Sequence, residues 1–203
     1  MQKILITNDD GIQPDGIIRL ARAAKKYGKV WVVAPDGQRS AMSHRITLHE
    51  TIEFFPVDFP VEGVHAYAST GTPADCVRFG ILNIAKEKPD YVFSGINYGY
   101  NSGTDIQYSA TVGSALEAAC AGVHAVAFSE GASECHEVTD AYLERMMEEL
   151  MEQPLAYNQI WNVNFPQCEL EKLRGIYMTG KLQTVDFSLT SIWKRGLKME
   201  EYD

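Results

Sequence analysis

Short apolar runs alternate along the chain with longer segments in which apolar residues recur every three or four positions. The short runs predict strands at Lys3–Thr7, Val30–Ala34, Val64–Ser69, Tyr91–Ser94, Ala125–Ser129 and Ile160–Phe165, with a longer extended stretch at Ile46–Phe55. The periodic segments predict helices at about Asp15–Tyr27, Thr72–Ala85, Ser109–Ala121 and Val138–Gln153. Because strands and helices alternate, the pattern predicts an α/β fold, with helices on both faces of a mostly parallel sheet.

This alternation continues to about residue 166 without an internal repeat or a linker. We therefore predict a single domain over residues 1–203, with an α/β core at 1–166 and a short, irregular or extended C-terminal extension at 167–203. The chain is 45% hydrophobic and 22% charged, which suits one globular domain with a sizeable core.

The charge balance narrows the possible partners. The formal net charge is -9, so we expect no binding to duplex nucleic acid, which favours basic surfaces. The first apolar run ends at the charged Asp9, and no segment is long enough to cross a bilayer. These features predict a cytoplasmic protein with no membrane partner. The four cysteines include no C-x-x-C pair and are predicted to be buried packing thiols rather than zinc ligands or disulfides.

Two adjacent carboxylates, Asp9 and Asp10, directly follow the first predicted strand. Their charges repel each other and are costly to bury, and a hard cation relieves both penalties. The alternative is an Asn-Asp-Asp-Gly turn whose side chains cap backbone groups.

Two further loops follow predicted parallel strands, and they are expected to open at the same edge of the sheet. Ser40 can offer a hydroxyl oxygen to a cation, although an ordinary solvated loop is the alternative. Asn97 lies in the glycine-rich segment Gly95–Asp105 and can offer an amide oxygen. Its glycines permit close backbone approach to a ligand, with a merely flexible loop as the alternative.

Asn101 and the start of the helix at Ser109 provide groups suited to phosphate. Amides at a helix N-terminus, together with the hydroxyls of Ser109 and Thr111, form a natural anion cradle. Those hydroxyls can equally serve as simple helix caps. A hard-cation site beside an anion cradle suits metal-assisted hydrolysis of a phosphate ester.

The order of these motifs resembles the stationary-phase survival protein family, SurE, a group of metal-dependent nucleotide phosphatases. The resemblance covers about four-fifths of the chain and is carried by Asn8-Asp9-Asp10-Gly11, Val33–Asp36 with Arg39-Ser40, Gly71–Val77, Ser94–Asn97, Asn101 with Asp105, Tyr108-Ser109 with Thr111-Val112, and Asn162–Pro166.

The resemblance implies a Rossmann-like three-layer sandwich and a divalent cation (Mg, Mn or Co) held by Asp9, Asp10, Ser40 and Asn97. It also implies release of phosphate from nucleoside monophosphates, with Asn101, Ser109 and Thr111 near the phosphate. Asp9 and Asp10 are the catalytic candidates, and Asp9 is the one expected to handle a proton or to attack. A homodimer or higher homo-oligomer is expected.

Two other functions compete with a nucleotidase. The first is a nucleotide- or phosphate-binding module without turnover. It is motivated by a short C-terminus and by Ala41 and Ala110, which stand where the family usually has glycine. The second is a hydride-transferring dehydrogenase, which fits the sheet but lacks the G-x-G-x-x-G fingerprint.

Overall fold

The computed structural model describes residues 1–178. Its strands are β1 (Gln2–Thr7), β2 (Gly28–Pro35), β3 (Phe54–Val57), β4 (His65–Ser69), β5 (Tyr91–Tyr98), β6 (His124–Glu130) and β7 (Trp161–Phe165). Its α-helices are α1 (Asp15–Ala24), α2 (Pro73–Phe79), α3 (Ala110–Cys120) and α4 (Glu137–Glu152). A π-helical turn, Gly80–Ile84, continues α2, and short 3-10 segments lie at Gly103–Gln107 and Leu170–Lys172.

The seven strands form one sheet in the order β3-β4-β2-β1-β5-β6-β7. Every pair is parallel except the edge pair β3–β4. Helices α1 and α4 cover one face, where Ile6, Leu20 and Met147 belong to a common apolar cluster. Helices α2 and α3 cover the other face around Leu5, Val77 and Ala115. The predicted three-layer α/β fold is confirmed.

The central strands are apolar on both sides because helices cover both faces of the sheet. Ile4, Leu5 and Ile6 of β1 are completely buried. Because β1, β2, β5 and β6 run parallel, they end at one edge of the sheet, where the loops after them meet. That edge contains the predicted site.

Two predicted elements differ from the structure. The extended stretch predicted at Ile46–Phe55 is a strand only from Phe54, because its earlier part bonds to side chains instead of a neighbouring strand. The backbone N–H of Thr47, for example, donates to Asp75 Oδ1 at 3.0 Å. The glycine-rich loop predicted from Gly95 begins later, because β5 runs on to Tyr98 and pairs Asn97 with Ser129 of β6 after a register shift.

The C-terminal prediction is partly outside the described residues. Residues 167–178 are irregular apart from one 3-10 segment, as expected, and the rest of the predicted extension lies beyond residue 178. All four cysteines are free thiols. Cys76 is buried as predicted, whereas Cys135 and Cys168 are only half-buried. Cys120 is exposed, which corrects the prediction of a buried thiol, because it lies in the last turn of α3 away from the sheet. Within residues 1–178, no helix is both long and apolar enough to cross a membrane.

Candidate metal and phosphate site

The turn after β1 is closed by Asn8 rather than by the two aspartates. The buried Asn8 side chain accepts a hydrogen bond from Gly11 N at 3.1 Å and donates one to Gly11 O at 2.8 Å. Gly11 has a φ of 107°, which favours glycine. Asn8 makes the hydrogen bonds that close the turn. The carboxylates of Asp9 and Asp10 therefore do not cap it, contrary to the alternative interpretation of this motif.

Asp9 is held by helix α3. Its carboxylate accepts a hydrogen bond from Thr111 Oγ1 at 2.5 Å, and the residue is only 4% exposed. Burial raises the pKa of Asp9 to about 6, and the negative charge of Asp10 adds to that rise, while the hydrogen bond from Thr111 opposes it. Asp9 is therefore a buried acid whose charged form is poorly stabilised by the protein alone.

Asp10 connects the first loop to the end of β5. Its Oδ2 accepts a hydrogen bond from Tyr98 N at 3.3 Å, one residue beyond Asn97. Burial raises the pKa of Asp10 as well, partly offset by hydrogen bonds from Tyr98 and from the Gln38 side chain. The amide of Asn97 donates to Gly99 O at 2.7 Å, which orients that side chain and leaves its oxygen for another partner.

The segment of residues 36–47, here called the Ser40 segment, contacts the same turn through its backbone. Arg39 N donates to Asp9 O at 2.7 Å. Ser40 follows directly and is exposed. The Arg39–Asp9 main-chain bond and the bond from Tyr98 N to the Asp10 side chain thus join the loops that carry Asp9, Asp10, Ser40 and Asn97. Coordination of one ion by their four side chains stays a prediction.

Within residues 1–178, no lysine, arginine or histidine forms an ion pair with Asp9 or Asp10. The nearby guanidinium of Arg39 is paired with Asp36 at 2.9 Å. Nor do the described residues include a group of three or more His, Cys, Asp or Glu side chains able to hold a metal. Two uncompensated carboxylates supplemented by hydroxyl and amide oxygens nevertheless fit a hard divalent cation, which prefers oxygen ligands and often keeps several waters.

The start of α3 lies beside Asp9. Ser109 is the N-cap, and its Oγ accepts a hydrogen bond from Val112 N at 3.1 Å, so the capping alternative is realised at this residue. The hydroxyl proton of Ser109 remains able to face an anion. Thr111 already gives its hydroxyl proton to Asp9, so the predicted contact with a phosphate would have to come from its backbone N–H, which belongs to the first, unpaired turn of the helix.

Asn101 is buried in a network that the sequence reasoning missed. Its Nδ2 donates to Ser129 Oγ at 2.8 Å, and its backbone N–H donates to Asn164 Oδ1 at 2.8 Å. The amides of Asn162 and Asn164 both donate to its carbonyl oxygen. The alternation of asparagine and apolar residues in β7 is the sequence signal for this support.

Comparison with known proteins identifies the family. The model of a family described as Survival protein SurE matches residues 4–186. The chain belongs to the SurE family. A "5'-nucleotidase SurE" from Thermoanaerobacter sp. (strain X514) is 44% identical over 181 residues, which cover 87% of this chain and 70% of the relative. A protein of the same name from Geobacter metallireducens is 42% identical over 183 residues, covering 87% and 69% of the two chains.

A solved SurE structure has the same fold. The crystal structure of the Sure protein from Aquifex aeolicus matches with a TM-score of 0.76 and 36% identity, and the match covers 86% of this chain and 70% of that one. The resemblance drawn from the ordered motifs is thereby confirmed at the level of family and fold.

Proposed function

We propose that this SurE-family protein is a divalent-cation-dependent nucleotidase that releases phosphate from nucleoside monophosphates. The observation that carries the proposal is the pair Asp9 and Asp10, both at least partly buried at the carboxyl edge of the sheet and lacking any ion-pair partner within residues 1–178. The relatives from Thermoanaerobacter and Geobacter, both named as 5'-nucleotidases, support it.

We assign the cation to Asp9, Asp10, Ser40 and Asn97. When bound, a divalent ion would neutralise phosphoryl oxygens and supply an activated water. Magnesium, manganese and cobalt all accept such an oxygen-rich set, so the assignment is to a class of ion rather than to one element.

The protein's own groups then have separate tasks. Thr111 orients Asp9, which we assign both as a ligand of the cation and as the group that handles a proton or attacks. Ser109 and the first backbone amides of α3 bind the phosphate, and Asn101 binds it from the side of β5. Water attacks the phosphorus in line with the bond to the nucleoside oxygen, that bond breaks, and the nucleoside oxygen takes up a proton. If the Asp9 carboxylate attacks instead, a second step in which water cleaves the acyl phosphate releases phosphate and restores Asp9.

A substrate panel measured against a metal panel tests the proposal. Purified protein is given 5'- and 3'-nucleoside monophosphates and glycerol phosphate with Mg²⁺, Mn²⁺ or Co²⁺, and with a chelator. We expect phosphate release from the nucleotides that the chelator abolishes. Release unaffected by the chelator would refute the role of the cation. Tight nucleotide binding without release under every ion would refute turnover and favour the binding-module alternative.

Two further predictions accompany the proposal. We infer that residues 1–203 form one domain, with the C-terminal part as an extension of the α/β core, and that the protein is a homodimer or larger homo-oligomer. Light scattering on the full chain checks the second point, and a mass equal to one chain of 22.6 kDa would contradict it.

A further inference from the structure

The motif Gly71–Val77 has no place in the chemistry described above, although it is one of the most distinctive segments of the sequence. We propose that its Asp75 is a positioning residue, which holds the Ser40 segment so that Ser40 completes the cation site. This inference rests on the proposed function, because that function gives Ser40 its task.

The conformation of the Ser40 segment depends on contacts with other parts of the protein. Residues 36–47 contain neither helix nor strand. Ala41 and Ser43 have φ values of 58° and 54°, in the left-handed region that residues other than glycine adopt at a conformational cost. Such a conformation persists only where surrounding contacts determine it.

The middle of the Ser40 segment packs against α3 and the residues directly before it. Ser43 N donates to Tyr108 O at 3.0 Å, and its hydroxyl donates to Gln107 O at 2.7 Å. A Cβ placed on Gly113 would lie 2.3 Å from Ser43 O, so only glycine allows this approach. His44 Nε2 lies 2.8 Å from Glu117 Oε2 on the same helix.

Asp75 holds the far end of the segment. It is 1% exposed, and its Oδ1 accepts a hydrogen bond from Thr47 N at 3.0 Å. Its Oδ2 accepts one from Thr47 Oγ1 at 2.7 Å and another from Thr72 N at 2.9 Å. Thr72 adds a bond from its own hydroxyl to Arg45 O at 2.6 Å.

These bonds exceed what a helix cap needs. The capping box of α2 requires the bond from Asp75 N to Thr72 Oγ1 and the bond from Thr72 N to the Asp75 carboxylate. The two bonds from Thr47 add nothing to the helix. They connect a buried, negatively charged acceptor to the last residue of the Ser40 segment, and charged acceptors make the stronger hydrogen bonds.

The test compares Thr47→Val with Thr47→Ser, because only the serine keeps the hydroxyl that bonds to Asp75. The affinity for Mn²⁺ is measured by titration calorimetry without substrate. We expect Thr47→Val to weaken Mn²⁺ binding about three- to tenfold, the value of one hydrogen bond, and Thr47→Ser to stay within about twofold of the parent. Thr139→Val, a buried threonine change on the opposite face of the sheet, is the control and should leave Mn²⁺ affinity unchanged.

Asp75→Asn is a second variant with a larger expected loss of affinity. An asparagine has one acceptor oxygen, so its NH₂ group would face the donors of Thr47 and Thr72. Unchanged Mn²⁺ affinity in Thr47→Val, alongside a lower melting temperature, would show a merely structural contact and overturn the inference.

Hydrogen exchange separates this inference from the proposed function. The amides of Arg39 and Ser43 are both bonded within the structure. In metal-free protein they should exchange faster in Thr47→Val than in Thr47→Ser. If the parent protein bound no Mn²⁺, the proposed function would fail, while equal exchange in the two variants would separately refute the hold of Asp75 on the segment.

Discussion

Two buried acids, Asp9 and Glu130, lie at the same edge of the sheet on opposite faces, and each is 4% exposed. Glu130 ends β6 and is bound by Arg19, whose Nη1 lies 2.8 Å from its Oε1, with His136 Nδ1 at 3.1 Å. Asp9 lies in the loop directly after β1 and has a threonine hydroxyl and a second carboxylate instead.

The difference lies in the supply of positive charge rather than in burial. Arg19 also binds Asp140 at 2.7 Å and so links α1 to α4 around Glu130. That acid is neutralised by the fold itself. Asp9 and Asp10 are left with an electrostatic penalty that a bound cation removes. An acid that the protein does not neutralise is therefore the better indicator of a ligand site.

The largest expected effect comes from removing the charge of Asp9. Asp9→Asn should lower turnover by at least about a thousandfold, because cation binding and the proton-handling group are lost together. The metal-free variant should still fold, since the amide oxygen can accept the bond from Thr111. Steady-state phosphate release with Mn²⁺ measures the effect, and wild-type turnover in this variant would contradict the assignment.

Removing the cationic partner of Glu130 tests the acid that the protein neutralises by itself. Arg19→Met leaves Glu130 buried without its main partner, so the free energy of unfolding should fall by about 3–5 kcal/mol. Turnover of the folded protein should change by less than about threefold, since the substituted residue lies on the other face of the sheet.

Arg145→Met is the matched control for that measurement. Arg145 pairs with Glu149 at 2.7 Å, but the two side chains are 58% and 45% exposed. Such exposed pairs contribute little to stability, so denaturant unfolding should hardly change. A similar loss in both variants would remove the distinction between buried and exposed pairs.

The pH dependence of stability gives the third test. The pKa of Asp9 is raised from 3.8 to about 6 in the folded protein. Its stabilising contribution is therefore complete below about pH 4 and is lost as the pH rises through about 6. In metal-free protein, the unfolding free energy of wild type minus that of Asp9→Asn should fall by about 3 kcal/mol over this range.

Saturating Mn²⁺ should abolish or reverse that trend, because the cation stabilises the charged carboxylate. The subtraction of Asp9→Asn cancels the carboxyl groups that do not interact with Asp9. Urea unfolding at several pH values provides the measurement. A difference that is flat with pH in metal-free protein would show that Asp9 is not a strained buried acid.

The smallest expected effect concerns Ala41. Because its φ is 58°, Ala41→Gly should relieve the cost of a left-handed residue and raise stability by about 0.5–1 kcal/mol. Ala121→Gly is the control, since Ala121 has a φ of -79°, and it should lower stability by a similar amount. Thermal unfolding compares them, and destabilisation by Ala41→Gly would contradict the strain.

The clustering of the candidate residues at one edge of the sheet was largely predictable because its strongest signals are local. Asp9 and Asp10 follow a strand whose apolar pattern is unmistakable, and the parallel sheet brings the loop of Asn97 to the same edge. The alternation of asparagine and apolar residues in β7 signals a polar network, but its partner was not predictable. Ser129 and Asn164 are distant from Asn101 in sequence, and their side chains could have formed hydrogen bonds elsewhere. The strand predicted from Ile46 is wrong for the same reason. The backbone there bonds to a side chain that is distant in sequence instead of to a neighbouring strand.

By itself, the sequence determined most of the elements, the layered architecture and the turn at Asn8–Gly11, since hydrophobic periodicity and hydrogen bonds between near neighbours depend on residues close together in the chain. Only the tertiary structure decided which buried acid received an arginine and which did not. It also decided how an irregular segment reaches Asp9, through contacts with Tyr108, Glu117 and Asp75. Those outcomes depend on the distances between remote residues, and the apolar pattern that builds the sheet carries no information about them.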